Sequence, residues 1–186
     1  MSAEAIGRLM PAVITLDDLV AMMEADEHGH RYETSTQGAL SVVPPPDGKH
    51  GKLATQLTLW LGRVLSGDQF VQAAGIRIPG PAGNAGRIPD LTVWSHDPGD
   101  KVWYSVDDVI LVIEIISPGS EATDQVTKVK EYASAGIPQY WTVARDAANT
   151  VTIHQLTPEG VYEVTAKVPF TWLMQTSPAD HLPVEG

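Results

Sequence analysis

One acid, Glu114, interrupts an otherwise apolar run of eight residues at positions 109–116. Consecutive apolar or β-branched positions of this kind predict a central strand that is buried on both faces. Burial of an unpaired, ionised carboxylate costs several kcal/mol, so Glu114 must be neutralised, paired or bound to a cation. One interpretation is a divalent-metal site that Glu114 shares with Asp90, which follows Pro89 at the head of a short apolar stretch. The other is a glutamate at the rim of a sheet that meets an arginine or a backbone donor.

The spacing of apolar residues predicts further elements on both sides of that strand. Residues 79–86 are rich in glycine and proline, which is typical of a flexible loop. The third predicted helix carries Val126, Val129 and Ala133 as its apolar stripe. The predicted helices cover residues 16–23, 50–65 and a segment from about 121 or 124 to 135, and the predicted strands cover residues 31–34, 39–43, 70–78, 91–94, 109–116, 140–144, 150–156 and 161–165, the last two as a hairpin.

A length of 186 residues suits one domain. We place it at residues 15–170, between an N-terminal extension, 1–14, and a C-terminal tail, 171–186. The absence of cysteine excludes disulfides, thiolate metal sites and cysteine nucleophiles. No apolar stretch is long enough for a membrane span, and the first residues lack a basic region followed by an apolar one. A cytoplasmic location without membrane attachment is therefore expected.

The formal net charge is −11, with only 12 lysines and arginines. This excess of negative charge argues against a protein that binds a long polyanion through non-specific electrostatic attraction. Net charge is not local charge, however, and a positive cleft is still compatible with the sequence. Its candidate cations are Lys49, Lys52, Arg77, Arg87, Lys128 and Lys130.

Three residues of the third predicted helix, Asp124, Lys128 and Tyr132, follow one another at four-residue spacing. They therefore share one helix face. A simple interpretation is an Asp124–Lys128 ion pair on a solvated face, worth about 0.2–0.5 kcal/mol. That pair leaves the burial of Glu114 unexplained.

Several short motifs, taken in order, resemble the Uma2 family, also called DUF820, of the restriction-endonuclease-like PD-(D/E)XK nuclease superfamily. The resemblance covers roughly residues 15–165. It implies an α/β restriction-endonuclease-like fold with a central mixed β-sheet flanked by α-helices, to which the residues add a C-terminal β-hairpin. It also implies a divalent-metal site and endonuclease activity. The motifs are Tyr32-Glu33, Pro44-Pro45-Pro46 before His50, Pro89-Asp90, Val112-Ile113-Glu114-Ile115-Ile116-Ser117-Pro118, Asp124-x3-Lys128-x3-Tyr132 and Gly136-Ile137-Pro138-Gln139-Tyr140-Trp141.

By this resemblance, Asp90 and Glu114 would be the metal ligands, and carboxylate oxygens suit Mg²⁺ or Mn²⁺. The superfamily pattern places a catalytic lysine two residues after the second acid, where this chain has Ile116. The resemblance places it instead at Lys128 on the following helix, with Lys130 as the weaker candidate. Asp124 would then contact the residues of the metal site without binding the metal itself.

Two further residues match the family pattern and have alternative interpretations. Glu33 could complete the metal shell, or it could face solvent on a short strand. His50 could contact a phosphate or the metal, or it could be a polar helix terminus. A Gly-Glu pair usual in the family is Gly38-Ala39 here, which counts against full activity.

Three functions therefore compete. The first, which we carry forward, is a magnesium-dependent endonuclease that acts on nucleic acid, most simply DNA, through Asp90, Glu114 and Lys128. A homodimer is compatible with it. The second is a nuclease-fold interaction or assembly module without efficient catalysis. The third is a small-molecule enzyme whose buried acids work in a deep apolar pocket.

Overall fold

A computed structural model of the protein describes residues 13–117 and 124–182. Its helices and strands follow the predicted order, with differences that are described below. The helices are α1 Leu16–Ala25, α2 Gly48–Leu61, α3 Val129–Ser134 and α4 Phe170–Leu173, and the strands are β1 Arg31–Thr34, β2 Leu40–Val43, β3 Phe70–Gln72, β4 Gly75–Gly80, β5 Gly83–Arg87, β6 Leu91–Trp94, β7 Trp103–Ser105, β8 Val109–Ile115, β9 Gln139–Val143, β10 Val151–Leu156 and β11 Tyr162–Val168.

A mixed six-stranded sheet forms the centre, in the order β11-β10-β9-β8-β6-β3. Strands β8 and β9 run parallel, and the other neighbours in this sheet are antiparallel. The predicted central strand is β8, and the predicted C-terminal hairpin is β10–β11. The expected α/β fold, with a central mixed sheet flanked by helices, is confirmed.

Alternation along β8 decides which face of the sheet receives Glu114. Leu111, Ile113 and Ile115 belong to the core that α2 covers, whereas Val112 belongs to the core beneath α3. Because successive side chains of a strand point to opposite faces, Glu114 lies on the same face as Val112. The carboxylate is therefore directed to the side on which α3 packs.

A three-stranded sheet, β5-β4-β7, and the hairpin β1–β2 complete the described part of the chain. The prediction of a flexible loop at 79–86 is wrong, because these residues form most of the β4–β5 hairpin. Gly83 takes a φ of 106°, which only glycine adopts readily, so glycine here permits a tight turn and not a loose loop. The predicted strand 70–78 is divided at Ala73, whose φ is 52°.

The third helix begins with a π-helical turn, Asp124–Lys128. A π turn holds more residues than an α turn and shifts every following side chain around the axis. This explains why the predicted apolar stripe is wrong at Val126, which is 56% exposed, although Ala133 is buried. Residues 118–123 and the side chain of Asp124 lie outside the described part of the chain, so the predicted roles of Asp124 and of a helix start at 121 stay predictions.

Residues after the predicted domain boundary contribute to the core. Leu173 and Leu182 are buried in the cluster that α2 covers, together with Phe170 at the boundary itself. The boundary at residue 170 stays a prediction. Within residues 13–117 and 124–182, helices long and apolar enough to cross a bilayer are absent.

Close backbone approach at Gly86 gives a test of this packing. A Cβ atom there would lie 2.6 Å from Leu19 and 2.7 Å from Trp103, so we expect Gly86→Ala to destabilise the protein by about 1–3 kcal/mol. The control is Gly51→Ala in α2, where a Cβ meets nothing within 4 Å and helix propensity should add up to about 1 kcal/mol. Urea unfolding measures both changes. Equal stability of the two variants would contradict the packing around β5.

Candidate functional site

The two acids singled out by the sequence lie next to each other at the ends of adjacent strands. Strands β6 and β8 pair with Leu91 opposite Ile113, and continuing this antiparallel register by one residue places Asp90 opposite Glu114. Opposite residues in such a pair share a face of the sheet. The backbone N–H of Ile115 donates to Asp90 Oδ2 at 2.8 Å. Both acids are buried.

Asp90 is surrounded by donors. His50 Nε2 lies 3.0 Å from Asp90 Oδ1, and two nitrogens of Arg31 donate to the same oxygen at 3.3 and 3.4 Å. His50 reaches this position because Asp47 caps the start of α2. Burial alone would raise the pKa of Asp90, but hydrogen bonding and charge attraction from His50, the Ile115 N–H and Arg31 together lower it. The carboxylate is therefore held in its ionised form.

Glu114 is paired with two side chains from the third helix. Lys128 Nζ donates to Glu114 Oε1 at 2.9 Å, and the Tyr132 hydroxyl donates to the same oxygen at 2.8 Å. Burial, followed by the negative charges of Glu114 and Glu33, raises the pKa of Tyr132 well above its ordinary value. Tyr132 therefore stays a protonated donor at neutral pH.

Glu33 is also part of this cluster, and the interpretation that it faces solvent is wrong, because only 2% of it is exposed. Its Oε1 accepts from the Ile88 backbone N–H at 3.0 Å, and its Oε2 accepts from Arg87 at 3.2 Å. The same Oε2 lies 3.4 Å from Lys128 Nζ. Lys128 is thus shared between Glu114 and Glu33.

Arg87 links this cluster to a fourth carboxylate. Its Nε and Nη2 lie 2.8 and 2.6 Å from Glu131 Oε2, and Glu131 Oε1 accepts from the backbone and hydroxyl of Thr36. Burial would lower the pKa of Arg87, but the charges of Glu33 and Glu131 raise it overall. Arg87 is therefore a buried counterion, and not the cation of an open cleft.

The structure brings together most of the predicted site residues and adds others. Asp90, Glu114, Lys128, Glu33 and His50 meet in one cluster, whereas Lys130 is exposed on the helix surface. Sequence reasoning missed Arg31 and Glu131 and did not foresee the position of Arg87. One signal was present for Arg31: it stands two residues before Glu33 on β1, so both side chains lie on one face of that strand.

The donor set fits a metal site built from two carboxylates. Asp90 and Glu114 supply hard oxygen ligands, and Mg²⁺ is commonly held by one or two carboxylates with waters and substrate phosphate. Among residues 13–117 and 124–182, no group of three or more His, Asp or Glu side chains is arranged so that it could hold a metal ion. The described residues therefore offer the Asp90 and Glu114 carboxylates as a pair, and a place for Glu33 or His50 in a metal shell stays a prediction.

Removal of the Arg87 guanidinium should destabilise the protein strongly. Arg87→Leu leaves the buried carboxylates of Glu33 and Glu131 without this partner, and breaking a buried pair in this way costs about 3–5 kcal/mol. Arg145→Leu is the control, because Arg145 pairs with exposed Asp47 and its loss should change stability little. Urea unfolding of both variants tests the difference. Similar losses of unfolding free energy in the two variants would mean that the buried network contributes no more to stability than the exposed ion pair does.

Comparisons with known proteins agree with this architecture. The model of the Uma2 family, described as "Putative restriction endonuclease", matches residues 16–181. A crystal structure of "a putative nuclease belonging to DUF820" from Anabaena variabilis ATCC 29413 is similar, with a TM-score of 0.62 and 17% sequence identity over 84% of this chain and 96% of that one. At this identity the likeness shows the fold alone, and it confirms the expected restriction-endonuclease-like class. No curated protein sequence matches the chain. Because the family model spans most of its length, the chain belongs to the Uma2 family of restriction-endonuclease-like proteins.

Proposed function

We propose that this protein is a Mg²⁺- or Mn²⁺-dependent endonuclease that hydrolyses phosphodiester bonds, with DNA as its substrate. Asp90 and Glu114 would hold the metal, and Lys128 would act on the reacting phosphate. The observation that carries the proposal is the adjacency of two buried carboxylates at neighbouring strand ends, with Lys128 Nζ 2.9 Å from one of them. Membership of the Uma2 family supports nucleic acid as the substrate class.

The chain's own residues would hold the two carboxylates in place. The Ile115 N–H fixes Asp90 Oδ2, and the Tyr132 hydroxyl fixes Glu114 Oε1. Fixed ligands of this kind favour catalysis because they need little reorganisation. A divalent ion bound there would polarise the scissile phosphate and lower the pKa of an attacking water.

Lys128 would orient that water or stabilise the negative charge that develops on the phosphate. Its ammonium lies between Glu114 Oε1 and Glu33 Oε2. Glu33 would therefore keep Lys128 at the site when Glu114 engages a metal. This supports a helix-borne lysine in place of the strand position that Ile116 occupies.

The interaction module and the small-molecule enzyme differ in how well the structure supports them. Each described acid of the cluster is paired with Lys128, Arg87, Arg31 or His50, and this arrangement favours an interaction module as the second candidate. The small-molecule enzyme predicts a deep apolar pocket at Glu114. A cavity of about 390 Å³ lies instead around Trp94 and Tyr104 and is lined largely by polar side chains. Homodimer formation and a cytoplasmic location stay predictions.

Metal binding tests the proposal without knowledge of the substrate. Calorimetric titration of Mn²⁺ should give saturable binding to the wild-type protein and at least tenfold weaker binding to Asp90→Asn and Glu114→Gln, because each loses a charged ligand. Glu163→Gln, at an exposed glutamate on β11, is the matched control and should bind as the wild type does. A wild-type protein that takes up no Mn²⁺, even with a DNA duplex present, would favour the interaction module.

Cleavage assays test the role of Lys128. Lys128→Ala should keep Mn²⁺ binding but cut supercoiled plasmid at least about a hundredfold more slowly, which is the scale for losing one donor to transition-state charge. Lys130→Ala, at an exposed lysine of the same helix, is the control and should cut at the wild-type rate. Circular dichroism checks that both variants are folded. Wild-type cleavage by Lys128→Ala would sink the assigned role.

A further inference from the structure

We infer that Arg31 is a substrate-binding residue. It balances Asp90 in the metal-free protein, and it binds a phosphate of the nucleic acid backbone once a metal ion occupies Asp90. This inference rests on the proposed function, which assigns Asp90 to the metal. Three independent properties of Arg31 support it: its exposure, its poor hydrogen bonding and the charge balance of the cluster.

Arg31 lies where the cluster meets solvent. Its side chain is 21% exposed, whereas those of Asp90, His50, Glu114 and Lys128 are 5–7% exposed. Arg87 is more deeply buried, at 2%. A phosphate that approaches from solvent therefore reaches Arg31 before the other described cations of the cluster.

The guanidinium of Arg31 is poorly satisfied by its present partners. Its Nη1 and Nη2 both donate to Asp90 Oδ1, at 3.3 and 3.4 Å, and Nη1 lies 3.5 Å from the carbonyl oxygen of Ile88. A strong arginine–carboxylate pair uses both oxygens at about 2.7–2.9 Å, whereas Arg31 donates only to Oδ1 of Asp90, and the Ile115 N–H donates to Oδ2. By contrast, Arg87 approaches Glu131 to 2.6 Å.

One further donor of Arg31 points to a ligand. Its Nε is buried, and no acceptor in the described part of the chain lies within hydrogen-bond distance. A buried donor without an acceptor is costly. A phosphate oxygen is the acceptor that a planar guanidinium with unused donors fits best.

The charge balance of the cluster identifies the kind of anion. Four carboxylates belong to its described part, Glu33, Asp90, Glu114 and Glu131, and they face three permanent cations, Arg31, Arg87 and Lys128. These permanent charges sum to −1, and a divalent ion would change that sum to +1. A single phosphodiester, which carries one negative charge, would bring the sum to zero. Arg31, displaced from Asp90, is the described cation of the cluster placed nearest to solvent to bind it.

The test compares Arg31→Gln with Arg77→Gln, which removes the same charge from an exposed arginine on β4. Mn²⁺ affinity is measured by calorimetry. Affinity for a short fluorescein-labelled DNA duplex is measured in Ca²⁺ over a range of salt concentrations, and a gel verifies that the duplex is intact. Arg31→Met, which retains the aliphatic stem, gives the same comparison if Arg31→Gln fails to fold.

We expect Arg31→Gln to bind Mn²⁺ about fivefold more tightly, because the competing cation is gone from Asp90. Duplex affinity should fall about tenfold, and the slope of log K against log salt should become shallower by about 0.9, as for one lost phosphate contact. Arg77→Gln should leave Mn²⁺ affinity unchanged and weaken duplex binding less.

Two results would overturn the inference while the proposed function stands. One is tighter Mn²⁺ binding by Arg31→Gln with wild-type duplex affinity and salt slope, which would make Arg31 only a counterion of Asp90. The other is an equal loss of duplex binding in Arg77→Gln, which would make the effect one of general charge. Failure of the wild-type protein to bind Mn²⁺ would instead overturn the proposed function, and this inference with it.

Discussion

Glu114 is the penultimate residue of a strand whose other side chains are apolar, and because it is buried its charge has to be balanced inside the protein. The balance comes from Lys128 and Tyr132, which lie one turn apart on the third helix. That helix therefore packs on the sheet face that alternation along β8 gives to Glu114. The place of Lys128 beside the two acids therefore depends on this one buried carboxylate.

The same requirement joins parts of the chain that are distant in sequence. Arg87 on β5 lies between Glu33 on β1 and Glu131 on α3, so one guanidinium ties the smaller sheet, a hairpin and a helix together. Buried ion pairs rarely stabilise a protein more than apolar side chains of similar volume would. A network of four carboxylates is therefore an expensive way to build a core, and a chemical use for the acids explains it better than stability does.

The elements that the sequence predicts well are those with a strong local pattern. The apolar run identified β8, and the three- and four-residue spacing of Leu53, Leu57 and Trp60 identified α2. The β4–β5 hairpin was missed because glycine and proline mark loops and tight hairpins alike. Within the site, the burial of Glu114 predicted a partner, but the link between Arg87 and Glu131 has no local signature, because these residues lie far apart in the chain and meet only through the fold.

An acidic protein that acts on a polyanion must attract it through a local positive site, and here that site would form only when a metal ion is bound. With a net charge of −11, and with Arg87 and Lys128 engaged by carboxylates, the metal-free cluster offers little to draw in a phosphate backbone. On the proposed function, a divalent ion at Asp90 and Glu114 adds two positive charges to the cluster and releases Arg31 from Asp90. Metal binding would then precede nucleic acid binding. In the metal-free protein, which could not cleave its substrate, the acidic surface would disfavour contact with nucleic acid.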